Sequence, residues 1–425
     1  MTIDDRTPVL VGVGQFKQRP DDPLDAIEPI AMMQEALERA ADDAGTRRLL
    51  GRADHVWVVK GAWPYPDPGA LLAERFGASA RTGLTGDGGN SPQSLVNEAC
   101  RRIAAGTAEI VLLSGAEGIW SRRRARRAGA RIPYTDQSPA EPAERLGSDV
   151  SMNNDVERER GFEAPVVLYP IFESAIRASR GESIDDHRTR VARLWEGFNR
   201  VAVANEYAWL RTPMTADQIR SPEDGNRMVG FPYTKAMNSN WDLDLAAGLI
   251  LCSAGTARSL GVATDRWVFP HAGTDGADTI YVSNRDNLHS SPAIRIAGRR
   301  ALELAGVGVD DLAHVDLYSC FPSAVQISAA ELGLSLDRQL TVTGGLTFAG
   351  GPLNNYVMHG IASMADTLRH DAGSTGLCTA NGGYVTKHAF GVYSTNPPAG
   401  GFASDQCQDA IDREPHRVLD HEFTG

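Results

Sequence analysis

The sequence predicts an α/β protein made of two similar halves, with layered sheets and helices and an inserted helical segment. Short runs of branched apolar residues alternate with amphipathic stretches along most of the chain. The series "GDGGNSPQ", a helix and "IVLLSGAEG" is matched much later by "FAGGPLNN", a helix and "GLCTANGGY". Repetition of such a unit predicts a duplication. Between the two series, an arginine run and scattered prolines interrupt the alternation, which indicates an insertion.

The first half is predicted to span residues 1–118. "TPVLVGVGQ" is typical of a buried strand, and a helix is expected over residues 23–43. Two further strands, "ADHVWVVKG" and "AEIVLLSGAEG", flank the helix "SPQSLVNEACRRIAAG". This alternation predicts a mostly parallel sheet. The buried face of the helix over 23–43 is expected to consist of Ile27, Ile30, Met33, Leu37 and Ala40.

The second half is predicted over residues 243–395 and repeats the alternation. Its first strand, "DLAAGLILCSA", begins at Asp244, and the strand "HVDLYSCF" lies between two helices. Residues 396–425 have no apolar periodicity, so an irregular tail is expected there.

Residues 119–242 are expected to form an inserted domain that folds over a site between the two halves. Two long amphipathic helices are predicted near "LYPIFESAIRASRG" and "DDHRTRVARLWEGFNRVAVANEYAWL". The arginine run at 122–127 has two interpretations, a solvated loop or a clamp for the phosphates of a nucleotide-tailed substrate.

Composition narrows the class of ligand and the compartment. The chain has 425 residues and a net charge of -12, which argues against a nucleic-acid binder or a polybasic membrane module and favours a small molecule. The first apolar run is too short for a signal peptide or an anchor, so a cytoplasmic protein is expected. The cysteines are odd in number and form no CxxC pair, which predicts free thiols and no metal site. They are Cys100, Cys252, Cys320, Cys378 and Cys407.

The order of "LLSGAEG", "DLYSCF", "GGLTFAGGP" and "NGGY" resembles the thiolase superfamily over nearly the whole chain. Within it, the chain is most similar to sterol-carrier-type thiolases and to thiolase-like proteins named acetyl-CoA acetyltransferases. The resemblance implies the layered αβαβα thiolase fold. It also implies a coenzyme A thioester as substrate or ligand, without a covalently bound cofactor, and a role in lipid metabolism.

Thiolases react through an acyl-cysteine, and the positions that the resemblance assigns to this chemistry carry other residues here. An ungapped count places the nucleophile position at Gly89, next to Asn90 and Ser91. A serine at a helix N-terminus is expected to be a cap, and a nucleophile is the alternative. The activating histidine of the Gly-His-Pro tripeptide is replaced by Gly351.

The other two motifs have changed as well. The second cysteine position falls on Asn381, shortly before Gly383, and the fourth motif reads "YSCF" over residues 318–321. Cys378 is expected to be a buried, inert thiol. Backbone amides at the two helix N-termini are still expected to form an oxyanion site.

Other side chains are candidates for replacement chemistry. Tyr318 ends a strand and is either an acid or base for a hydroxyl group or a structural tyrosine; the resemblance implies that related retro-aldolases use a tyrosine in this motif. His359 is either on a solvated helix face or a substitute base. His388 is either a core histidine or a base near the site, and Lys387 points to the opposite face, towards a phosphate.

The sequence therefore predicts an acyl-CoA-binding protein that is nominally an acyltransferase but lacks the Cys/His/Cys residues of thiolases. One alternative is a retro-aldol carbon-carbon lyase that acts on β-hydroxyacyl-CoA through Tyr318. The other is a non-catalytic acyl-CoA-binding or scaffold subunit. The resemblance further implies a small β-domain, either as a partner or as a missing C-terminal part, and a homodimer formed through the first-half sheet.

Overall fold

We describe residues 3–223 and 225–417 from a computed structural model. The strands are β1 (Pro8–Lys17), β2 (His55–Val58), β3 (Arg81–Thr85), β4 (Ile110–Gly118), β5 (Glu144–Leu146), β6 (Met228–Gly230), β7 (Tyr233–Thr234), β8 (Asp244–Ser253), β9 (Phe269–Ala277), β10 (Leu312–Asp316), β11 (Thr375–Gly382), β12 (Lys387–Ser394) and β13 (Ala403–Gln406).

The helices alternate with these strands. They are α1 (Pro29–Asp43), α2 (Pro68–Phe76), α3 (Ser91–Ala104), α4 (Ile119–Arg127), α5 (Asp155–Glu159), α6 (Pro165–Arg180), α7 (Ile184–Ala204), α8 (Ala216–Arg220), α9 (Ala254–Leu260), α10 (Pro292–Ala305), α11 (Pro322–Leu332), α12 (Gly345–Phe348), α13 (Tyr356–His370) and α14 (Gln408–Ile411).

The helices and sheets form the five alternating layers that the sequence predicts. One sheet has the order β1-β8-β4-β2-β3-β5, and the other has the order β10-β11-β12-β9-β13. Helices α3 and α13 pack between the sheets, α1 and α2 cover the outside of the first sheet, and α10 covers the outside of the second. Because α3 and α13 have a sheet on either side, most of their residues are buried.

The duplication is visible in the topology, but the second half begins later than predicted. The order β1-β8-β4-β2 in the first sheet corresponds to β9-β12-β11-β10 in the second, with the same sequence of two antiparallel pairings and one parallel pairing. The strand at Asp244 is β8, which lies between β1 and β4, so its assignment to the second half is wrong. The insertion therefore interrupts the first half, and the sheets are mixed rather than mostly parallel.

The first helix also starts later than predicted. Residues Pro23–Asp25 form a single 3-10 turn, and α1 begins at Pro29 after extended backbone. A residue before proline avoids the helical region, which explains the break. Ile27 consequently lies outside the helix and is 40% exposed, whereas Ile30, Met33, Leu37 and Ala40 are buried as predicted.

The insertion contains the two predicted long helices, α6 and α7, and each has a buried apolar face. The arginine run is part of a helix, α4, rather than a loop. Arg122 and Arg124 are hydrogen-bonded to backbone carbonyls and Arg123 to Asp242, while Arg126 and Arg127 are exposed.

The tail is more ordered than predicted up to residue 417. Strand β13 pairs with β9 in parallel at the edge of the second sheet, and α14 follows it. A four-residue edge strand is too short for a detectable apolar period. Residues 418–425 of the predicted tail lie outside the described residues. Within the described part of the chain, none of the helices is long and apolar enough to cross a membrane.

Candidate functional site

Gly89 lies where the two halves of the molecule touch. It belongs to the loop that leads into α3, and this loop packs against the end of β11 and against Tyr318, just after β10. A Cβ atom added to Gly89 would lie 2.3 Å from the Tyr318 hydroxyl and 2.5 Å from the backbone oxygen of Asn381. The position that the sequence assigns to a thiolase nucleophile therefore has no room for a side chain, and the Tyr318 hydroxyl occupies the adjacent space.

The residues after Gly89 do not cap α3 in the expected way. Ser91 is the first residue of the helix, and its hydroxyl is 3.4 Å from the Gly86 carbonyl, to which it donates. Asn90 precedes the helix, but its side chain makes no capping hydrogen bond. Ser91 is thus wrongly predicted as an N-cap, because Pro92 follows it and lacks the N–H group that a capping side chain could accept.

Tyr318 presents a hydrogen-bond donor to this contact. The residue is 7% exposed, and its ring meets Tyr356 edge to face with the centroids 5.7 Å apart. Among the described residues, its hydroxyl group has no hydrogen-bond partner. Burial, together with the neighbouring Cys320 thiol, raises the pKa of Tyr318 well above its ordinary value. Tyr318 is therefore a neutral phenol at physiological pH.

The turn after β11 is fixed by a tyrosine of the insertion. Tyr169 on α6 accepts hydrogen bonds from the Asn381 amide (3.2 Å) and the Val385 N–H (3.3 Å), and donates one to the Gly383 carbonyl (2.9 Å). Val385 has a φ of +52°, which is a strained conformation for a β-branched residue. Sequence reasoning missed Tyr169, since it is one of many apolar positions on an amphipathic helix.

An aromatic stack fills the space beside this turn. The Phe321 ring stacks on Tyr169 with the centroids 4.3 Å apart, and it also contacts Tyr233 at 5.6 Å. Burial raises the pKa of the adjacent Cys320 thiol to about 12, and the pKa of the Cys378 thiol is also raised by burial. Both thiols are therefore protonated and poorly nucleophilic. All the cysteines are free and buried, as the sequence predicts.

The position of the missing histidine is closed in the same way. A Cβ atom added to Gly351 would lie 2.3 Å from the Ser239 hydroxyl, and the Gly351 N–H donates to the Asn240 carbonyl at 2.8 Å. The end of the insertion thus packs directly against this glycine. Asn354, three residues later, accepts a hydrogen bond from the Gly88 N–H at 3.0 Å and so joins the two glycine-rich loops. The sequence analysis did not identify this contact.

The histidines are both in the core. His359 is 6% exposed, and its Nδ1 atom is 2.8 Å from the Gln15 side-chain oxygen. The prediction of a solvated face is wrong because α13 is covered by a sheet on each side. Burial lowers the pKa of His359 to about 3, so the ring is neutral. His388 lies opposite Asn381 in the β11–β12 ladder, but its Nε2 atom is 3.4 Å from the Asp278 carboxylate. This contact favours a core histidine.

Lys387 brings a positive charge to the N-terminus of α3. Its ammonium group donates to the backbone oxygens of Asp87 (2.6 Å) and Ser148 (3.0 Å), and it lies beside Gly88. Burial lowers its pKa. A neutral phenol, an ammonium group and helix N-terminal amides thus converge around residues 88–89. Such donors are suited to an anionic or polarised oxygen. In the described residues there is no cluster of acidic, histidine or cysteine side chains suited to a metal ion.

Comparisons with known proteins agree with the fold. No family model matches the chain. A monomeric SCP2-thiolase-like protein type 1 from Mycobacterium smegmatis is 31% identical, with a TM-score of 0.83 over 99% of this chain and 84% of that one. The Ltp2-ChsH2(DUF35) aldolase is 17% identical, with a TM-score of 0.70 over 92% of this chain and 98% of that one. An acetyl-CoA acetyltransferase of Methanocaldococcus jannaschii is 22% identical over 62% of this chain. The match spans only 60% of that protein's length.

The contact at Gly89 leads to a double-mutant prediction. Gly89→Ala should lower the free energy of unfolding by about 1–3 kcal/mol, because the new methyl group meets the Tyr318 hydroxyl. In a Tyr318→Ala background the same change should cost about half as much, since only the Asn381 oxygen remains in the way. Urea unfolding of the four proteins measures this coupling. Gly400→Ala is the control, because an added Cβ there meets nothing within 4 Å. Equal costs of Gly89→Ala in both backgrounds would contradict the contact.

His359 should make the protein less stable in acid. The folded pKa of about 3 lies below the model value of 6.5, so the unfolded chain binds a proton that the folded one refuses. The stabilisation from this site is complete above pH 6.5 and is lost as the pH falls towards 3, at about 1.4 kcal/mol per pH unit. Stability curves of wild type and His359→Gln between these limits should therefore differ in slope. The exposed His370→Gln is the matched control, and identical slopes in all three proteins would contradict the prediction.

Proposed function

This chain belongs to the SCP2-thiolase-like proteins, and on that premise we propose that it binds an acyl-CoA thioester without forming an acyl-cysteine. The contact of the Tyr318 hydroxyl with Gly89 carries the proposal. A thiol at position 89 would need the space that Tyr318 and the Asn381 carbonyl occupy. The remaining thiols nearby, Cys320 and Cys378, are kept protonated by burial.

The proposed binding mode follows from the charges around the start of α3. A thioester oxygen would accept from the Tyr318 phenol, which lacks a protein acceptor among the described residues, and from the α3 amides. Lys387 would contribute its positive charge to the same oxygen or to a phosphate of the ligand. Gly89, Asn90, Ser91, Gly351 and Gly383 would act only through their backbone. The acyltransferase name of the Methanocaldococcus relative would then describe ancestry and not chemistry.

Two measurements test this proposal. Incubation with acetyl-CoA followed by intact mass spectrometry should leave the protein mass unchanged, whereas a gain of one acetyl group on a cysteine would overturn it. Calorimetry should detect CoA binding, and Lys387→Met should weaken it by about 5- to 30-fold, as expected for a charged hydrogen bond. The exposed Lys235→Met is the matched control and should bind normally. If the wild-type protein does not bind CoA, the ligand class is wrong.

A second candidate is a carbon-carbon lyase of the retro-aldol type, which the unpartnered Tyr318 hydroxyl favours. In this reaction the β-hydroxyl group of a hydroxyacyl-CoA gives its proton to a base and the Cα–Cβ bond breaks. The β-carbon becomes a carbonyl group, and the electron pair forms a thioester enolate that takes up a proton at Cα. The Tyr318 phenolate would accept the hydroxyl proton and return it to Cα. The Ltp2-ChsH2(DUF35) protein, which has the same fold, is an aldolase, and a small partner of the DUF35 kind is proposed here as well.

The lyase candidate makes a prediction about pH. Because the pKa of Tyr318 is raised, the phenolate is scarce at neutral pH, and its fraction grows about tenfold per pH unit below that pKa. The rate of cleavage of a β-hydroxyacyl-CoA should rise accordingly through the alkaline range. Tyr318→Phe should lower it by about 100- to 10,000-fold, while the partly buried Tyr281→Phe should not.

Two outcomes would remove the lyase candidate. One is an unchanged rate in Tyr318→Phe, which would show that another group acts as the base. The other is a wild-type protein that binds acyl-CoA and cleaves nothing, which would establish a non-catalytic acyl-CoA-binding subunit instead.

A further inference from the structure

A large cavity lies apart from the candidate site. It has a volume of about 1150 Å³, opens between α7 and residues 336–342, and is also lined by Gln15 and Ser363. Tyr318, Asn381 and Gly89 are not among its lining residues. Its size is that of a small-molecule site.

The floor of this cavity is apolar. Leu194 and Val201 on α7 face Leu340 and Val342 across it. Leu194 and Val342 are partly buried and pack against the main core. Gly197 lies between the two α7 residues in the same row, and a Cβ atom added there would meet only Arg200, at 3.8 Å. The floor thus offers apolar contact and open space to a flexible chain.

The rim of the cavity is rich in arginine. Five arginines line it against three acidic residues, although the whole chain has a net charge of -12. Two of the arginines are paired with Glu182. Arg193 and Arg200 are exposed and, within residues 3–223 and 225–417, have no carboxylate partner within salt-bridge distance. The full set is Arg180, Arg190, Arg193, Arg200 and Arg338, with Glu206, Asp337 and Asp366.

We propose that this cavity is a second ligand site, which binds an amphipathic anion. The aliphatic part of the ligand packs against Leu194, Val201 and Val342. Its phosphate or carboxylate group is held by Arg193 and Arg200, whose guanidinium groups present paired donors to such anions. The anion comes either from a free lipid-like molecule or from the phosphates of a nucleotide-tailed thioester. The proposal does not depend on any chemistry at Tyr318.

Calorimetry with octyl phosphate tests the site directly. Octyl phosphate should bind, and inorganic phosphate and octanol, which each carry one half of the ligand, should bind at least about tenfold more weakly. Arg193→Glu/Arg200→Glu should weaken octyl phosphate binding by about tenfold or more, because two cations become anions. Arg126→Glu/Arg127→Glu is the matched control, with the same charge change on exposed arginines of α4. It should leave binding unchanged.

Gly197→Leu is a second variant that does not threaten the fold. Leucine has a higher helix propensity than glycine, and the structure has room for it, so thermal stability should be kept or raised. Its side chain should fill the floor and reduce octyl phosphate binding by at least about tenfold. The proposal is wrong if octyl phosphate does not bind, or if neither the charge reversal nor Gly197→Leu affects its binding.

Titration with CoA identifies the source of the anion. Loss of CoA binding in Arg193→Glu/Arg200→Glu would show that the site takes the phosphates of the thioester. Normal CoA binding in that variant, together with lost octyl phosphate binding, would show a separate lipid-like ligand. Both results support the site. Neither depends on the acetyl-CoA mass measurement, so failure of this proposal can be distinguished from failure of the proposed function.

Discussion

The close approach of two glycine-rich loops determines how the halves of this molecule fit together. A Cβ atom added to Gly382 would lie 2.4 Å from the Asn90 side chain and 3.0 Å from the Gly88 Cα atom, and Gly89 is equally confined. Backbone can approach backbone this closely only where side chains are missing. The contact brings the end of β11 to the start of α3 and places the Tyr318 hydroxyl beside Gly89. The lack of a nucleophile and the fit between the halves therefore have the same structural cause.

The insertion is a structural part of the candidate site and not only a cover. Tyr169 holds the turn at 381–386 from one side, and the buried Arg285 donates to the Tyr384 carbonyl (2.7 Å) and the Thr386 hydroxyl (2.9 Å) from the other. Between them the turn keeps Val385 in the left-handed region. Strain of this kind persists where the surroundings fix the backbone tightly. The geometry next to Tyr318 is thus set by contacts from three separate parts of the sequence.

The fold was largely predictable from the sequence, because period and duplication are local signals. The strand at Asp244 was misplaced since a strand carries no mark of its sheet, and a long insertion separates β8 from the neighbours it pairs with. His359 was misjudged for a related reason. A helical period identifies the most apolar face, yet α13 is enclosed on both sides, so its polar face is buried as well. Tyr169 and Asn354 act through single long-range hydrogen bonds or small groups of them, which no local pattern announces. The roles of Tyr318 and Asn381 remain predictions.

The short strand β5 governs how the first sheet can meet another protein. It pairs in parallel with β3, and Glu144 within it forms ion pairs with Arg81 (3.1 Å) and Arg102 (2.7 Å). An uncovered edge strand offers unpaired amides and carbonyls to any passing chain, and β5 removes that offer at the β3 side. Two copies that joined their first sheets at this edge would have to peel β5 away and separate its ion pairs beforehand. Association of that kind would therefore be slow and activated, because it could start only after local unfolding.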